Sequence, residues 1–305
     1  MRQLVTTRSG LELWTETFGR ATDPAMLLVM GATAQGIVWP DALCRSLADS
    51  GYRVVRYDHR DTGQSSSVDF AAAPYDVSDL AADAADVIVS LDLGPTHVVG
   101  LSVGGMVAQL VALTAPALVR SLVLLSSSPD ANGDVHRAPS SGLPAPHQPM
   151  LDHVAWISRN PSASALDVAV RGWKVLVGPG APFDEVYWHD VVTRSHARAR
   201  CPQSAGNHLV ALDRTPSLLD RLGSLRVPTL VVHGTNDHVL PIEHGRALAG
   251  AIPGARLVEV PGLGHTFPPE WIDRLHALIA SFVGSAASDQ REVQECGEFV
   301  HGGPH

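Results

Sequence analysis

The stretch "HVVGLSVGGM", residues 97–106, places Ser102 between two glycines at the end of an apolar run. The run before the serine is typical of a buried strand, and residues 103–116 have the pattern of a helix. Gly100 and Gly104 carry no side chain, so a sharp turn can bring the strand and the helix close together. A G-x-S-x-G pattern alone is weak, because 27 of the 305 residues are glycine. The strand–turn–helix context favours a nucleophile elbow over a serine that only caps a helix.

Strands and helices alternate on both sides of this turn. The strand-like runs are continuously apolar, as in parallel strands that are buried on both faces. Residues 3–8 and 11–18 alternate in polarity instead and predict an antiparallel hairpin at the sheet edge. The sequence therefore predicts the α/β class, with a mostly parallel, doubly wound sheet and a site at the carboxyl ends of its strands. Further strands are predicted at 25–31, 52–58, 96–102, 120–128, 229–234 and 255–262, and helices between them at 39–51, 77–94 and 103–116.

The alternation stops between residues 130 and 226. A proline-rich stretch is followed by helical patterns, and no strand-like run returns until Thr229. We predict that residues 130–226 form a helical cap over the strand ends, and we refer to this segment as the cap. The α/β core then comprises residues 1–129 and 227–284. Residues 285–305 are polar and show no periodic pattern, so we expect a flexible carboxyl-terminal tail.

Composition excludes several classes of partner. The formal net charge is −9, without long charged blocks, whereas nucleic acids and anionic membranes attract basic surfaces. No apolar stretch approaches the ~18 residues of a membrane span, and the amino terminus lacks the apolar core of a signal peptide. Cys44, Cys201 and Cys296 are too widely spaced for a disulfide framework or a Cys-x-x-Cys metal pair. We expect a cytoplasmic protein without a membrane or nucleic-acid partner; its oligomeric state is not predicted.

A serine hydroxyl is a weak nucleophile until a base removes its proton, and 15 histidines compete for that role. His265 ends the sequence "VEVPGLGH", in a glycine-rich loop after the last predicted strand. Ser102 is expected at the same edge of the sheet, so His265 is the predicted base. His233 lies inside a predicted strand and is expected to pack there, and His238 remains an alternative base.

A catalytic triad also needs an acid that orients the imidazole and stabilises its protonated form. Asp237 follows the strand 229–234 by three residues, at the same edge of the sheet. The chain order of Ser102, Asp237 and His265 is that of the α/β-hydrolase template. Asp130, after the strand 120–128, is the alternative acid.

Acyl transfer requires hydrogen-bond donors for the developing oxyanion. One predicted donor is the backbone N–H of Val103, directly after the nucleophile. The other lies in the loop "MGATAQ", residues 30–35, where Gly31 and Ala32 permit close approach of the backbone. Ala32 is the favoured donor.

Residues 10–284 resemble the α/β-hydrolase superfamily. Residues 27–66, "LLVMGATAQGIVWPDALCRSLADSGYRVVRYDHRDTGQSS", resemble the aclacinomycin methylesterase type of polyketide-tailoring esterase, in which "VMG" also replaces the usual His-Gly before the oxyanion loop. The resemblance implies the α/β-hydrolase fold and the same roles for Ser102, Asp237, His265, Ala32 and Val103. It does not extend to substrate contacts in the cap. In "DHRDTG" we expect Arg60 and Asp61 to pin the turn that follows the strand.

The cap is rich in large apolar side chains, enough to cover a bulky, partly aromatic substrate. The alternative is that these side chains only attach the cap to the core. The predicted pocket residues are Trp39, beside the oxyanion loop, and Met150, Trp156, Trp173 and Trp188 in the cap.

These features predict a cofactor-free serine hydrolase that cleaves a carboxylic ester through an acyl-enzyme. By resemblance, its hydrophobic small-molecule substrate is a methyl ester of a polyketide or a similar polycyclic compound. Two alternatives stay open: the same triad used for lactone or C–C bond hydrolysis or for peroxidase-like chemistry, and a non-catalytic ligand-binding member of the fold. No metal is predicted, because the core helices lack ligand spacing, and the G-x-G-x-x-G dinucleotide fingerprint is missing.

Overall fold

Eight strands form one sheet in this computed structural model, which describes residues 1–131 and 133–299, with side chains described up to residue 285. The strands are β1 (Arg2–Thr6), β2 (Glu12–Phe18), β3 (Ala25–Val29), β4 (Arg53–Tyr57), β5 (Thr96–Leu101), β6 (Val119–Leu125), β7 (Thr229–Gly234) and β8 (Arg256–Val260). Their order in the sheet is β1-β2-β4-β3-β5-β6-β7-β8. The β1–β2 and β2–β4 pairs are antiparallel and the other pairs are parallel. The predicted edge hairpin and parallel sheet are both present.

Helices cover both faces of the sheet. The α-helices are α1 (Asp41–Asp49), α2 (Val77–Ser90), α3 (Val103–Thr114), α4 (Gln148–Arg159), α5 (Ala165–Val177), α6 (Glu185–Arg198), α7 (Asn207–Arg214), α8 (Ile242–Ala251) and α9 (Ile272–Phe299). Side chains along β3 alternate between the two faces, as the period of two in a strand requires. Leu27 and Val29 pack in an apolar cluster with α2, α3 and α8, whereas Met26 and Leu28 pack in a second cluster with α1 and α9. Burial on both faces explains why the sequence of this strand is continuously apolar.

The strand order reverses next to β3. The chain passes from β3 to β4 on one side and returns to β5 on the other. In open α/β sheets, such a switch point leaves a crevice at the carboxyl ends of the strands. The loop after β3 and the turn after β5 meet at this crevice, and both were predicted to carry functional groups.

The segment between β6 and β7 is helical. It contains α4, α5, α6 and α7 and short 3₁₀ helices at Pro202–Gly206 and Leu219–Ser224, and its described residues form no strand. The helical character agrees with the expectation for the cap, while the division of the chain into core and cap stays a prediction.

The carboxyl-terminal helix extends into the segment that was expected to be a flexible tail. The backbone of α9 runs to Phe299, although no periodic pattern was found beyond residue 285. Residues 300–305 and the side chains after residue 285 lie outside the described residues, so the flexible tail stays a prediction. None of the helices described is long and apolar enough to cross a membrane.

Candidate active site

Ser102 lies on a strained turn between β5 and α3. Its φ is 56° and its ψ is −121°, in the left-handed half of conformational space that non-glycine residues rarely adopt. The turn is fixed on both sides: Ser102 N–H donates to the Leu125 carbonyl at 2.9 Å, and Ser127 Oγ donates to the Ser102 carbonyl at 2.7 Å. This strain holds the Ser102 side chain at the end of β5, where it is partly exposed to solvent.

Gly100 and Gly104 allow this turn because backbone atoms lie where a Cβ atom would be. A Cβ at Gly104 would lie 2.1 Å from the Val29 carbonyl oxygen, and a Cβ at Gly100 would lie 2.2 Å from the Gly104 carbonyl oxygen. Neither oxygen can rotate away as a side chain would. Packing between β3, β5 and α3 therefore requires glycine at positions 100 and 104.

We predict that Gly104→Ala lowers the free energy of unfolding by about 3 kcal/mol, since the methyl group would force the backbone of β3 and α3 apart. Gly250→Ala is the matched control, because Gly250 is an exposed helix residue whose added Cβ would meet nothing within 4 Å. That control should raise the free energy of unfolding by about 0.5–1 kcal/mol through helix propensity. Urea unfolding curves give both values; equal effects of the two substitutions would refute the packing argument.

Asp237 and His265 are hydrogen-bonded partners. Asp237 follows β7, His265 follows β8, and His265 Nδ1 lies 2.7 Å from Asp237 Oδ2. Both residues are buried, at 1% and 6% exposure. The other carboxylate oxygen, Oδ1, accepts the backbone N–H groups of Val239 and Leu240 at 2.8 and 2.9 Å. The carboxylate is therefore held in one orientation, with His265 Nδ1 as the nearest side-chain partner of Oδ2.

The electrostatics of this pair keep Asp237 ionised. Burial alone would raise the pKa of Asp237, but the charge and hydrogen bond of His265, together with His233, hold that pKa well below its ordinary value. An ionised carboxylate can only accept, so His265 Nδ1 carries the proton and Nε2 is free to act as a base. This is the tautomer that a serine hydrolase requires.

Ser102 and His265 reach the same region from different strands. Leu101 and Thr266, their respective neighbours in sequence, line one small cavity of about 20 Å³. Among the side chains described, no direct hydrogen bond joins Ser102 to His265. Catalytic hydrogen bonds are often long before substrate binds.

The alternatives from the sequence are engaged elsewhere. Asp130 accepts hydrogen bonds from Ser140 Oγ at 2.9 Å and Ser141 N–H at 2.6 Å, with no described contact to His265. The rings of His238 and His147 lie 5.8 Å apart. The geometry favours Asp237 over Asp130 as the acid.

His233 is packed inside β7, as expected, and it also contacts the acid. Its Nε2 lies 2.7 Å from the Leu240 carbonyl oxygen and 3.3 Å from Asp237 Oδ2. The sequence interpretation missed this second contact, since strand periodicity places His233 in the core without naming its neighbours.

The cap contacts the loop that carries His265. The backbone N–H of His265 donates to the Leu176 carbonyl at the end of α5, at 2.7 Å. A Cβ at Gly264 would lie 2.3 Å from the Val177 carbonyl oxygen, so only glycine permits this approach. The position of the predicted base thus depends on both the core and the cap.

The predicted oxyanion loop lies against Ser102. A Cβ at Gly31 would be 3.2 Å from Ser102 Cβ and 3.8 Å from its Oγ. The N–H groups of Ala32 and Val103 donate to no acceptor among the residues described. Both amides therefore remain free to bind a substrate oxygen, as the oxyanion prediction requires.

Two buried histidines hold this loop from the other side. Thr33 has a φ of 63°, and its N–H donates to His208 Nδ1 at 3.0 Å. His59 Nε2 lies 2.9 Å from the Met30 carbonyl oxygen, and the rings of His59 and His208 form an edge-to-face contact. The sequence interpretation missed both histidines. His59 lies within the motif "DHRDTG", but no local signal connects His208 to a loop 175 residues earlier.

Both imidazoles are kept neutral by their surroundings. Burial is the largest cause of the lowered pKa of His59, which lies at about 3. Burial likewise lowers the pKa of His208. Neutrality matters because His208 Nδ1 must be unprotonated to accept the Thr33 N–H.

The motif after β4 joins several elements. Asp61 accepts hydrogen bonds from Val68 N–H at 2.7 Å and Tyr75 Oη at 2.6 Å, so it pins the loop as expected. Arg60 reaches past the turn and forms a two-pronged ion pair with Asp83 on α2, with both N···O distances 2.7 Å.

A cavity of about 320 Å³ lies between core and cap. Its lining includes Ala32 and Thr33 of the oxyanion loop and His153, Trp173 and Ser195 of the cap. Ser102, Asp237 and His265 do not line this cavity; the residue that links it to the predicted site is Ala32, which follows Gly31.

Of the five predicted pocket residues, only Trp173 lines the 320 Å³ cavity. Trp173 lines the cavity, whereas Met150 and Trp156 line neither it nor the small cavity near Leu101. Trp39 and Trp188 are each only 2% exposed and pack in the apolar cluster of α1 and α9, bordering the small cavity instead. The Trp173 and Trp188 rings stack at a centroid distance of 4.4 Å. For Trp39 and Trp188, the structure favours the alternative that large apolar residues attach the cap to the core.

Within the described residues, no group of three or more His, Cys, Asp or Glu side chains is arranged to hold a metal ion.

Comparison with known proteins identifies the family. Residues 24–270 match the model of the α/β hydrolase fold family. The chain is 34% identical to rhodomycin D methylesterase DnrP of Streptomyces peucetius, over 92% of this chain and 97% of that protein. It is 28% identical to a non-heme chloroperoxidase of Kitasatospora aureofaciens, over 86% and 91% of the two chains. An esterase structure from Exiguobacterium antarcticum superposes with a TM-score of 0.76 at 21% identity, covering 93% of this chain and all of that one.

The chain therefore belongs to the α/β-hydrolase fold family. Within that family, the resemblance to methylesterases of the aclacinomycin type is confirmed by the 34% identity to rhodomycin D methylesterase. The predictions of the fold and of a carboxylic ester hydrolase are confirmed by the same matches.

Proposed function

We propose that this chain hydrolyses a carboxylic ester through an acyl-enzyme on Ser102, without a cofactor. The observation that carries the proposal is the buried His265–Asp237 hydrogen bond of 2.7 Å, at the sheet edge where the strained turn presents Ser102. A non-catalytic protein would have no need to maintain a strained serine together with an ionised, oriented acid.

In the first half-reaction, Ser102 Oγ attacks the ester carbonyl carbon and its proton passes to His265 Nε2. Negative charge develops on the carbonyl oxygen, where the N–H groups of Ala32 and Val103 stabilise it. Asp237 stabilises the protonated imidazole. The ester C–O bond then breaks, and His265 gives its proton to the departing alcohol.

In the second half-reaction, a water molecule attacks the acyl carbon and His265 takes its proton. The Ser102 ester bond breaks, the acid is released, and Ser102 Oγ regains its proton from His265. The cycle consumes one water and yields one acid and one alcohol. It needs no metal or redox group, so activity should persist after dialysis against EDTA.

We further propose that the substrate is hydrophobic, namely a methyl ester on a polyketide or a similar polycyclic compound. Support comes from the similarity to rhodomycin D methylesterase and from the 320 Å³ cavity between residues 130–226 and the core. Widely spaced cysteines support a cytoplasmic location, and the acidic net charge argues against nucleic acid as a partner.

A panel of purified substrates tests this proposal. It contains p-nitrophenyl acetate, methyl anthraquinone-2-carboxylate, dihydrocoumarin as a lactone, and a halide–peroxide assay for peroxidase-like chemistry. We expect the highest kcat/KM on the methyl ester, with one methanol released per acid. Faster turnover of the lactone would favour the lactonase alternative. No turnover of any ester would refute the proposed function.

A further inference from the structure

His153 on α4 is a buried imidazole that the described protein groups leave unsatisfied. The residue is 6% exposed, and its Nδ1 is buried without a hydrogen-bond partner. Buried polar groups nearly always bind protein, water or ligand, because leaving one unpaired costs free energy. An orphaned imidazole therefore requires an explanation.

This imidazole lies in the wall of the 320 Å³ cavity, beside Gly172 and Trp173 of α5. A Cβ at Gly172 would stand 3.3 Å from His153 Nε2. Gly172 thus leaves the space next to Nε2 free of a side chain, whereas the nitrogen that is buried without a partner is Nδ1 on the other side of the ring. The same cavity is lined by Ala32, the predicted oxyanion donor, and by Thr33 of the same loop.

The polar character of the cavity favours a neutral ligand. Burial, followed by the charge of Arg171, lowers the pKa of His153, so its ring is neutral near pH 7 and can donate at one nitrogen and accept at the other. Asp61 also lines the cavity, but both of its carboxylate oxygens already accept hydrogen bonds from Val68 and Tyr75. A hydroxyl or a carbonyl group matches the neutral His153 ring, which can donate or accept one hydrogen bond.

Trp173 provides a flat apolar surface next to His153. One face of its indole stacks on Trp188 at an interplanar angle of 14°, and its remaining surface contributes to the cavity wall. Planar ring systems pack well on such a surface.

We infer that His153 is a specificity-determining residue, which hydrogen-bonds a neutral hydroxyl or carbonyl group on a polycyclic aromatic ester whose rings pack on Trp173. This inference rests on the proposed function and adds to it the polar feature of the substrate that the cap recognises.

Matched esters test the inference. Methyl anthracene-2-carboxylate carries no polar ring group. Methyl anthraquinone-2-carboxylate carries two ring carbonyls. Its hydroxylated forms also carry a hydroxyl, which is placed at each free position in turn. For the preferred polar ester, we expect wild-type kcat/KM to exceed that for the anthracene ester by about 10-fold, the effect of one buried hydrogen bond. In His153→Leu this ratio should fall to about 1, and His153→Asn should restore part of it.

The control is His189→Leu, which alters an exposed histidine of α6 outside the cavity lining and should keep the ratio. The midpoint of thermal unfolding separates a structural role from a binding role. Because leucine removes an unsatisfied polar group, His153→Leu should unfold at the same temperature as wild type or higher. An unchanged ratio in His153→Leu would overturn the inference. With a lower midpoint, it would mean that His153 has only a structural role. With an unchanged midpoint, it would mean that His153 binds only water.

Calorimetric binding to Ser102→Ala protein distinguishes this inference from the proposed function. In one outcome, wild type hydrolyses no ester, Ser102→Ala binds the polar ester about 10-fold more tightly than the anthracene ester, and the double variant with His153→Leu shows no such preference. The inference then stands and the proposed function fails. If wild type hydrolyses the esters but the preference survives in His153→Leu, the inference fails and the proposed function stands.

Discussion

Replacing Ser102 by alanine should lower kcat for ester hydrolysis by about 10⁶-fold, the scale of loss when the nucleophile of a catalytic triad is removed. The residual rate would come from binding and the oxyanion donors alone. The fold should be retained, because both hydrogen bonds that fix the turn involve the Ser102 backbone and not its side chain. Alanine must adopt the same φ of 56°, so circular dichroism and unfolding curves accompany the kinetics.

Ser158→Ala serves as the control for this measurement. Ser158 is an exposed serine on α4 whose Oγ donates only to the Val154 carbonyl of its own helix, at 3.2 Å. Its kcat should stay within about two-fold of wild type, as for most surface substitutions. If folded Ser102→Ala protein kept more than a few per cent of wild-type kcat, another group would have to be the nucleophile.

Replacing Asp237 by asparagine should lower kcat by about 10⁴-fold. An asparagine amide can donate to His265 Nδ1, which favours the tautomer whose proton sits on Nε2, and that tautomer cannot accept the Ser102 proton. The side chains have the same shape, and the backbone donors Val239 and Leu240 can still bind the amide oxygen. The loss should therefore appear in kcat, with KM little changed.

Asp130→Asn is the matched control, because Asp130 is also a buried aspartate at the end of a neighbouring strand. Its hydrogen bonds to Ser140 and Ser141 hold a loop of the cap and leave His265 untouched. We expect its kcat to fall by less than 10-fold. A larger loss in Asp130→Asn than in Asp237→Asn would transfer the acid role to Asp130.

Much of the fold and the candidate triad could be predicted because the relevant signals are local. Ser102 directly follows a strand, and Asp237 and His265 lie in the loops that follow two other strands; the apolar, β-branched run of each strand can be recognised in the sequence. Parallel pairing then brings the strand ends to one edge of the sheet, so local patterns suffice to place distant residues together.

Contacts that depend on tertiary packing were not predictable in this way. The bond from Thr33 to His208 joins residues 175 positions apart, and nothing in either local sequence indicates the other. Composition showed that the cap carries tryptophans but not which way they face. Trp173 lines the cavity, whereas Trp188, in the next helix, is buried and stacks against Trp173.

The backbone of α9 continues into the segment that was expected to be a flexible tail, for a related reason. Periodicity identifies a helix through an apolar face that packs, and the polar sequence after residue 285 lacks such a face. The apolar residues Leu275, Ile279 and Phe282 anchor the first turns on the core.

Covalent labelling with a fluorophosphonate probe, followed by peptide mass spectrometry, tests most directly that Ser102 is an activated nucleophile. Such probes react with a serine whose proton is removed by a neighbouring base. We predict that one probe binds per chain, on the peptide that contains Ser102, and that Asp237→Asn slows the labelling in proportion to its loss of activity. Stoichiometric labelling at a different serine, or no labelling of protein that actively hydrolyses esters, would contradict the account.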